Sequence, residues 1–205
     1  MQNRQTAANQ PSKTDNGPEL VFSRAFAAPV AAVYRAWTDP EALVHWWGPK
    51  GFTMTIHRME LEVGGVWEYV LHGPDGTDYP NEAVFEEIVP LKRLVYFNRG
   101  GHVDDAHLTS RMIATFEGRD GLTLVSLRMQ FEGDEALERA KARGAEQGGR
   151  ESFERLQAWL EKTLPTSREA LRTSGHTRLD FGKEKTRSEL PGGSPMRARG
   201  VKPVG

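Results

Sequence analysis

Apolar and polar positions change period several times along this chain, and each change predicts a new element. In ELVFSRAF (19–26) Leu20, Phe22 and Ala25/Phe26 roughly alternate with polar residues, which reads as a strand. From Pro29 the period lengthens. Val30, Val33, Tyr34 and Trp37 fall at i, i+3, i+4 and i+7, one stripe of a helix, with Pro29 suited to its start. Thr38-Asp39-Pro40 ends that helix and opens a second: Asp39 is placed to cap it, Pro40 takes its first position and Glu41 its first turn. Leu43, Val44 and Trp47 point to one side of this short helix, and Gly48-Pro49 stops it.

Period two then takes over. FTMTIHRME (52–60), VWEYVL (66–71), NEAVFEEIVP (81–90), RLVYFN (93–98), SRMIATFEG (110–118) and LTLVSLRMQF (122–131) read as strands. Val63-Gly64-Gly65 permits a tight turn, HGPDGTDYP reads as a loop around a Pro-Asp-Gly turn, and Arg119-Asp120-Gly121 joins the last two strands as a hairpin. Helical period returns in DEALERAKARG (134–144) and GRESFERLQAWLEKTL (149–164). In the second, Phe153, Leu156, Leu160 and Leu164 form one stripe, with Gln157 and Trp159 beside it. GAEQGG (144–149) reads as a helix break.

This order predicts an α+β fold. A curved antiparallel sheet of about six to seven strands wraps around a long C-terminal helix, and two short helices close one end. The domain is expected over 19–164. Residues 1–18 read as a polar, disordered lead-in, and 165–205 as a flexible tail with nine Lys/Arg against four Asp/Glu over 166–205.

Composition narrows the function classes. The net charge is −1, so no global field argues for nucleic acid or a membrane surface. There is no cysteine, which excludes disulfides, thiolate metal sites and cysteine nucleophiles. No apolar run approaches the ~20 residues of a membrane helix, and the first residues lack the apolar core of a secretory signal. The expectation is a soluble, cytoplasmic protein, a monomer or a homodimer through an exposed sheet edge.

Candidate chemistry lies on the inner face of the sheet. Strand parity groups Trp67, Tyr69 and Leu71; Leu94, Tyr96 and Asn98; Met112, Ala114 and Phe116; and Val125, Leu127, Met129 and Phe131. Phe153, Leu156 and Trp159 of the last helix face them. Such an aromatic and methionine-rich lining suits a pocket for a small apolar molecule, and it suits a dry core equally. In WWGPKGF (46–52), Trp47 shares the apolar side of its helix and is expected in the core. Trp46 points ~100° away and either packs or meets a ligand at the cavity rim. Trp46, Trp67, Tyr69, Tyr96, Met112, Met129, Phe131, Phe153 and Trp159 are the candidate ligand-binding residues.

Other chemistries are weaker in the sequence. His102, Asp104, Asp105 and His107 crowd the loop GHVDDAH, but without metal-binding spacing on a regular element, so it reads as a solvated loop and no metal is expected. There is no glycine-rich phosphate loop and no nucleophile elbow. No cofactor is expected and no side chain is singled out as catalytic. Glu68, Glu87, His57 or His72 bordering the cavity would supply an acid or base.

FSRAFAAPVAAVYRAWTDPEALVHWWGPKGF, MELEVGGVWEYVLHGPDG, FEEIVPLKRLVYF, GRDGLTLVSLRMQF and GGRESFERLQAWL occur in this order over 19–164. Together they resemble the START-like (SRPBCC, helix-grip) superfamily, and within it the branch named for the activator of the heat-shock protein 90 ATPase. The chain departs from relatives at Glu62, where an arginine is common, and at Arg150, where a tryptophan is common. The resemblance implies the helix-grip fold with a cavity between sheet and C-terminal helix. It implies, in order of preference, a non-enzymatic binder of a small apolar or amphipathic molecule, a co-chaperone-like stress-response regulator of a heat-shock protein 90 chaperone, or a cyclase- or hydrolase-type enzyme with a cavity acid/base.

Overall fold

The computed structural model describes residues 17–100 and 108–164. The basic tail, the N-terminal lead-in and the GHVDDAH loop lie outside the described residues. Seven strands and four helices follow one another as β1 (Glu19–Phe26), α1 (Val30–Thr38), α2 (Pro40–Trp46), β2 (Thr53–Met59), β3 (Val66–His72), β4 (Asp78–Val89), β5 (Arg93–Gly100), β6 (Leu108–Arg119), β7 (Leu122–Gln130), α3 (Asp134–Ala142) and α4 (Ala145–Thr163).

All pairings are antiparallel, in the order β1-β7-β6-β5-β4-β3-β2. β1 and β2 are neighbours in sequence and opposite edges in space, so α1 and α2 carry the chain from one edge to the other. Register shifts between Ile56 and Arg58 and between Phe85 and Glu87 interrupt the ladders; such bulges bend a strand and deepen sheet curvature.

Local chemistry explains the helix boundaries. Asp39 caps α2, its Oδ1 accepting from the Glu41 N–H at 3.0 Å, with Pro40 at the first position. α2 ends at Trp46, and Trp47 is already extended (φ −68°, ψ 131°). The break expected over 144–149 falls at its first residue, Gly144, which is left-handed (φ 79°), and the correction is to its extent: α4 starts at Ala145 and runs through Gly148-Gly149. A Cβ on Gly149 would lie 2.5 Å from Cζ of Phe22, and one on Gly148 3.2 Å from Pro49 Cγ. The glycines are a condition of close approach, and packing outweighs their ~1 kcal/mol propensity deficit. β4 likewise starts earlier than its alternation suggests, with Tyr79 pairing with Leu71 and Pro80 with Val70 inside the expected loop.

The core is an aromatic cluster. The Trp37 ring centroid lies 5.0 Å from Trp46, 5.6 Å from Trp47, 5.5 Å from Phe116 and 6.3 Å from Phe153, mostly edge to face. Trp46 is fully buried, and its indole Nε1–H donates to the Ala36 carbonyl at 2.9 Å. The α4 stripe Phe153, Leu156 and Leu160 is buried against these rings.

Candidate functional site: a cavity between sheet and helix corner

The inner face of the sheet divides in two along the strands. Trp67, Phe85, Leu94, Tyr96, Ala114, Phe116 and Val125 are buried in the packed half, which Trp37, Trp46 and Trp47 help to fill. Over the other half stands the corner between α3 and α4, which presents Ala140, Gly144, Ala145, Gly148 and Gly149. Small residues there leave a cavity of about 560 Å³, partly open to solvent. That volume lies within the ~300–1,000 Å³ usual for small-molecule pockets.

The floor of the cavity is formed by Tyr69 and Leu71 of β3, Tyr79 and Asn81 of β4, Asn98 and Gly100 of β5, Leu108, Ser110 and Met112 of β6, and Leu127 and Met129 of β7. Trp47, Pro49 and Phe52 of the turn after α2 form one wall, with Ser152 and Phe153 of α4. The lining is mostly apolar and aromatic, with a few polar groups gathered in one place.

That polar group is linked through the sheet register. Tyr69 pairs with Asn81, and Asn98 with Ser110. The Trp47 Nε1–H donates to the Tyr69 hydroxyl at 3.3 Å, the hydroxyl donates to Asn98 Oδ1 at 3.4 Å, and Asn98 Nδ2 donates to Asn81 Oδ1 at 3.5 Å. Burial pushes the Tyr69 phenol above the ordinary tyrosine range, partly opposed by the Trp47 N–H. Burial raises Tyr96 too, reinforced by neighbouring Tyr69. Both stay protonated at neutral pH.

The turn that carries Trp47 is tied to α4. Arg155 Nη1 donates to the carbonyls of Gly48 (2.9 Å) and Pro49 (2.8 Å), and Nη2 to that of His45 (3.2 Å). Glu151 Oε2 accepts from the Lys50 N–H at 2.9 Å, and the Lys50 ammonium pairs with Glu154. The wall of the cavity is thereby positioned by the helix opposite it.

Four of the nine sequence candidates, Tyr69, Met112, Met129 and Phe153, line the cavity. The other five do not. Trp67, Tyr96 and Phe131 are buried in the core, Trp46 sits beneath α1, and Trp159 packs partly buried against the core. Both adjacent tryptophans are buried in the core cluster: Trp46 packs and does not reach the cavity rim, and Trp47, expected in the core, also lines the cavity. Trp47 leaves the helical phase at the C-terminus of α2 and reaches the cavity, whereas Trp46, with Ala42 and Leu43, is on the buried side of the helix.

The candidate acids and bases also fall elsewhere. His57 and Glu68 are exposed, His72 Nδ1 lies 2.6 Å from Asp78 Oδ1, and Glu87 pairs with Arg93 at 3.1 Å; none lines the cavity. Among the described residues no cluster of three or more His, Asp or Glu could hold a metal ion; His102, Asp104, Asp105 and His107 are outside them. Among the described residues no helix is long and apolar enough to cross a membrane.

Missed from the sequence were Trp47, Asn81, Ser110 and the small residues of the α3–α4 corner. Asn98 was on the correct face but not singled out. Alternation in β4 and β6 could have found Asn81 and Ser110, since both continue the inner-face series.

Comparison with known proteins bears on the same residues. The sequence model of the family described as Activator of Hsp90 ATPase homolog 1-like protein matches residues 27–161. No curated protein matches the chain. A solution structure of an Arthrobacter aurescens protein is similar at 27% identity over 72% of this chain and 87% of its own, with a TM-score of 0.66. A crystal structure of a Mycobacterium smegmatis protein is similar at 25% identity over 71% and 92%, TM-score 0.65. The AHSA1 protein of Silicibacter pomeroyi shares the fold at 22% identity over 71% and 99%, TM-score 0.59.

Proposed function

The chain belongs to the Activator of Hsp90 ATPase homolog 1-like family, with its START-like α+β fold, and on that premise we propose that it binds a small amphipathic molecule in the cavity between the sheet and the α3–α4 corner. The observation that carries this reading is the uneven filling of one continuous inner face. Half is packed with large aromatics, and half is capped by glycine and alanine over an aromatic floor. A cavity of about 560 Å³ forfeits packing stability, because empty apolar space costs free energy. A bound molecule restores those contacts.

Binding without catalysis is the form of the proposal. The described lining residues include no carboxylate and no imidazole, and the phenol of Tyr69 is held protonated by burial. Native mass spectrometry of the full chain from its own host is the test. A reproducible added mass that is lost on denaturation is expected, and Ala145→Phe, which projects a ring from the corner into the cavity, removes it. An added mass retained by a folded A145F chain, or its absence from the parent together with no uptake of an added apolar probe, overturns the reading.

A further inference from the structure

The polar floor narrows the chemistry of the ligand, an inference that rests on the cavity being a binding site. Tyr69, Asn81, Asn98 and Ser110 come from four adjacent strands and meet on the cavity wall. Their bonds to one another are long. Besides the 3.4 and 3.5 Å links through Asn98, the Ser110 hydroxyl reaches the Met112 sulfur at 3.5 Å, and sulfur is a weak acceptor. Asn81 Nδ2, by contrast, donates to the Tyr79 carbonyl at an ordinary 2.8 Å. N–H···O bonds centre near ~2.9 Å. Tyr69 and Ser110 are buried and the two amides half-buried; polar groups held this loosely are partly desolvated with little return, and a well-placed partner recovers the difference.

Gly100 is a second, independent sign of a built site. It pairs across the sheet from Asn81, and a Cβ there would overlap the Asn81 amide oxygen. β5 gives up a side chain at the position the amide occupies.

Every group in this cluster is neutral. Two amides and two hydroxyls each offer donors and acceptors. The charged member of the described lining is Arg143, which is exposed at the α3–α4 corner. A carboxylate or ammonium brought to the floor would lose hydration without an opposite charge among the floor groups, which is costly.

We propose that Tyr69, Asn81, Asn98 and Ser110 form a recognition subsite for a neutral group that both donates and accepts hydrogen bonds, of the carboxamide type, carried on a flat apolar body that lies on the aromatic and methionine floor. Calorimetric titration of the full chain with 2-naphthamide, 2-naphthoate and 2-methylnaphthalene, at neutral pH, tests it. The three share one ring body and differ at the tip. The amide is expected to bind about tenfold tighter than either of the others, a net return of roughly one good hydrogen bond. Asn98→Leu is expected to remove that advantage while 2-methylnaphthalene binds as well or better. Ser110→Ala, a milder change, is expected to reduce it. Equal affinity of amide and methyl compound, or an advantage that survives both substitutions, overturns the subsite and leaves the cavity reading standing. No heat from any of the three on the folded chain overturns both.

Discussion

Replacing Arg155 by methionine should loosen the whole mouth of the cavity. The guanidinium donates to four carbonyls of one turn, three of them at 2.8, 2.9 and 3.2 Å and that of Trp47 at a long 3.5 Å. Desolvation lowers its pKa, with Glu151 opposing, but a guanidinium stays charged at neutral pH. Hydrogen bonds to charged groups contribute ~1.5–3 kcal/mol net when buried, and less when water can replace them. Arg155 is half-buried, so the set should sum to about 2–4 kcal/mol. Methionine keeps most of the aliphatic stem packing, which isolates the hydrogen bonds. For a chain of this size ~1 kcal/mol corresponds to roughly 2–4 °C, so R155M should melt about 5–15 °C lower. Lysine restores charge but not the planar fork and should recover half of the loss or less. Urea titration followed by circular dichroism at 222 nm measures the change. An R155M midpoint within ~0.5 kcal/mol of the parent would mean that tryptophan packing alone holds the turn, and the reasoning would be wrong.

Three further outcomes are expected. Trp46→Phe should cost about 1–3 kcal/mol, because it thins the core and leaves the Ala36 carbonyl without its indole donor; Trp47→Phe should cost less but abolish tryptophan quenching by a cavity-bound probe, and quenching that survives W47F while vanishing in W46F would reverse the assignment. Gly149→Ala should destabilise by about 1–2 kcal/mol in thermal melts despite alanine's better helix propensity, since its Cβ would meet the Phe22 ring at 2.5 Å. Tyr34, Tyr69 and Tyr96 all have phenols raised by burial above 10.0, so the unfolded chain loses these protons first; their contribution to stability is complete below pH 10 and is lost as pH rises through the higher folded values. Absorbance at 295 nm should therefore show these three of the four tyrosines ionising together with unfolding, and reversible ionisation of more than one phenol near pH 10 in a fully folded chain would contradict their burial.

Strand parity was legible in the sequence because successive side chains of a strand alternate between faces, and the stretches that line the inner face run without a bulge, the register shifts lying at Ile56/Arg58 and Phe85/Glu87. Tyr69, Asn98, Met112 and Met129 fall on the inner face as their alternation requires, and so do Trp67 and Tyr96. The helical stripe Val33, Tyr34, Trp37 and the stripe Phe153, Leu156, Leu160 are buried for the same kind of reason. The order of these elements was enough for the α+β helix-grip architecture.

Depth along the sheet is a different matter. Parity says which face a residue takes but not whether an aromatic or a glycine stands opposite, so Trp67 and Tyr96 were grouped with Tyr69 although they lie in the packed half. The partner is set by α1, α2 and the α3–α4 corner, up to a hundred residues away in sequence. Trp46 and Trp47 show the limit at one peptide bond: the helix ends between them, so the phase that places the first does not apply to the second. Gly148 and Gly149 read locally as a break, because their reason for being glycine, the ring of Phe22 and Pro49, belongs to other elements. Periodicity, a local property, determined the elements and their buried faces. The cavity is a difference between what two distant segments fill, and only the tertiary structure decided it.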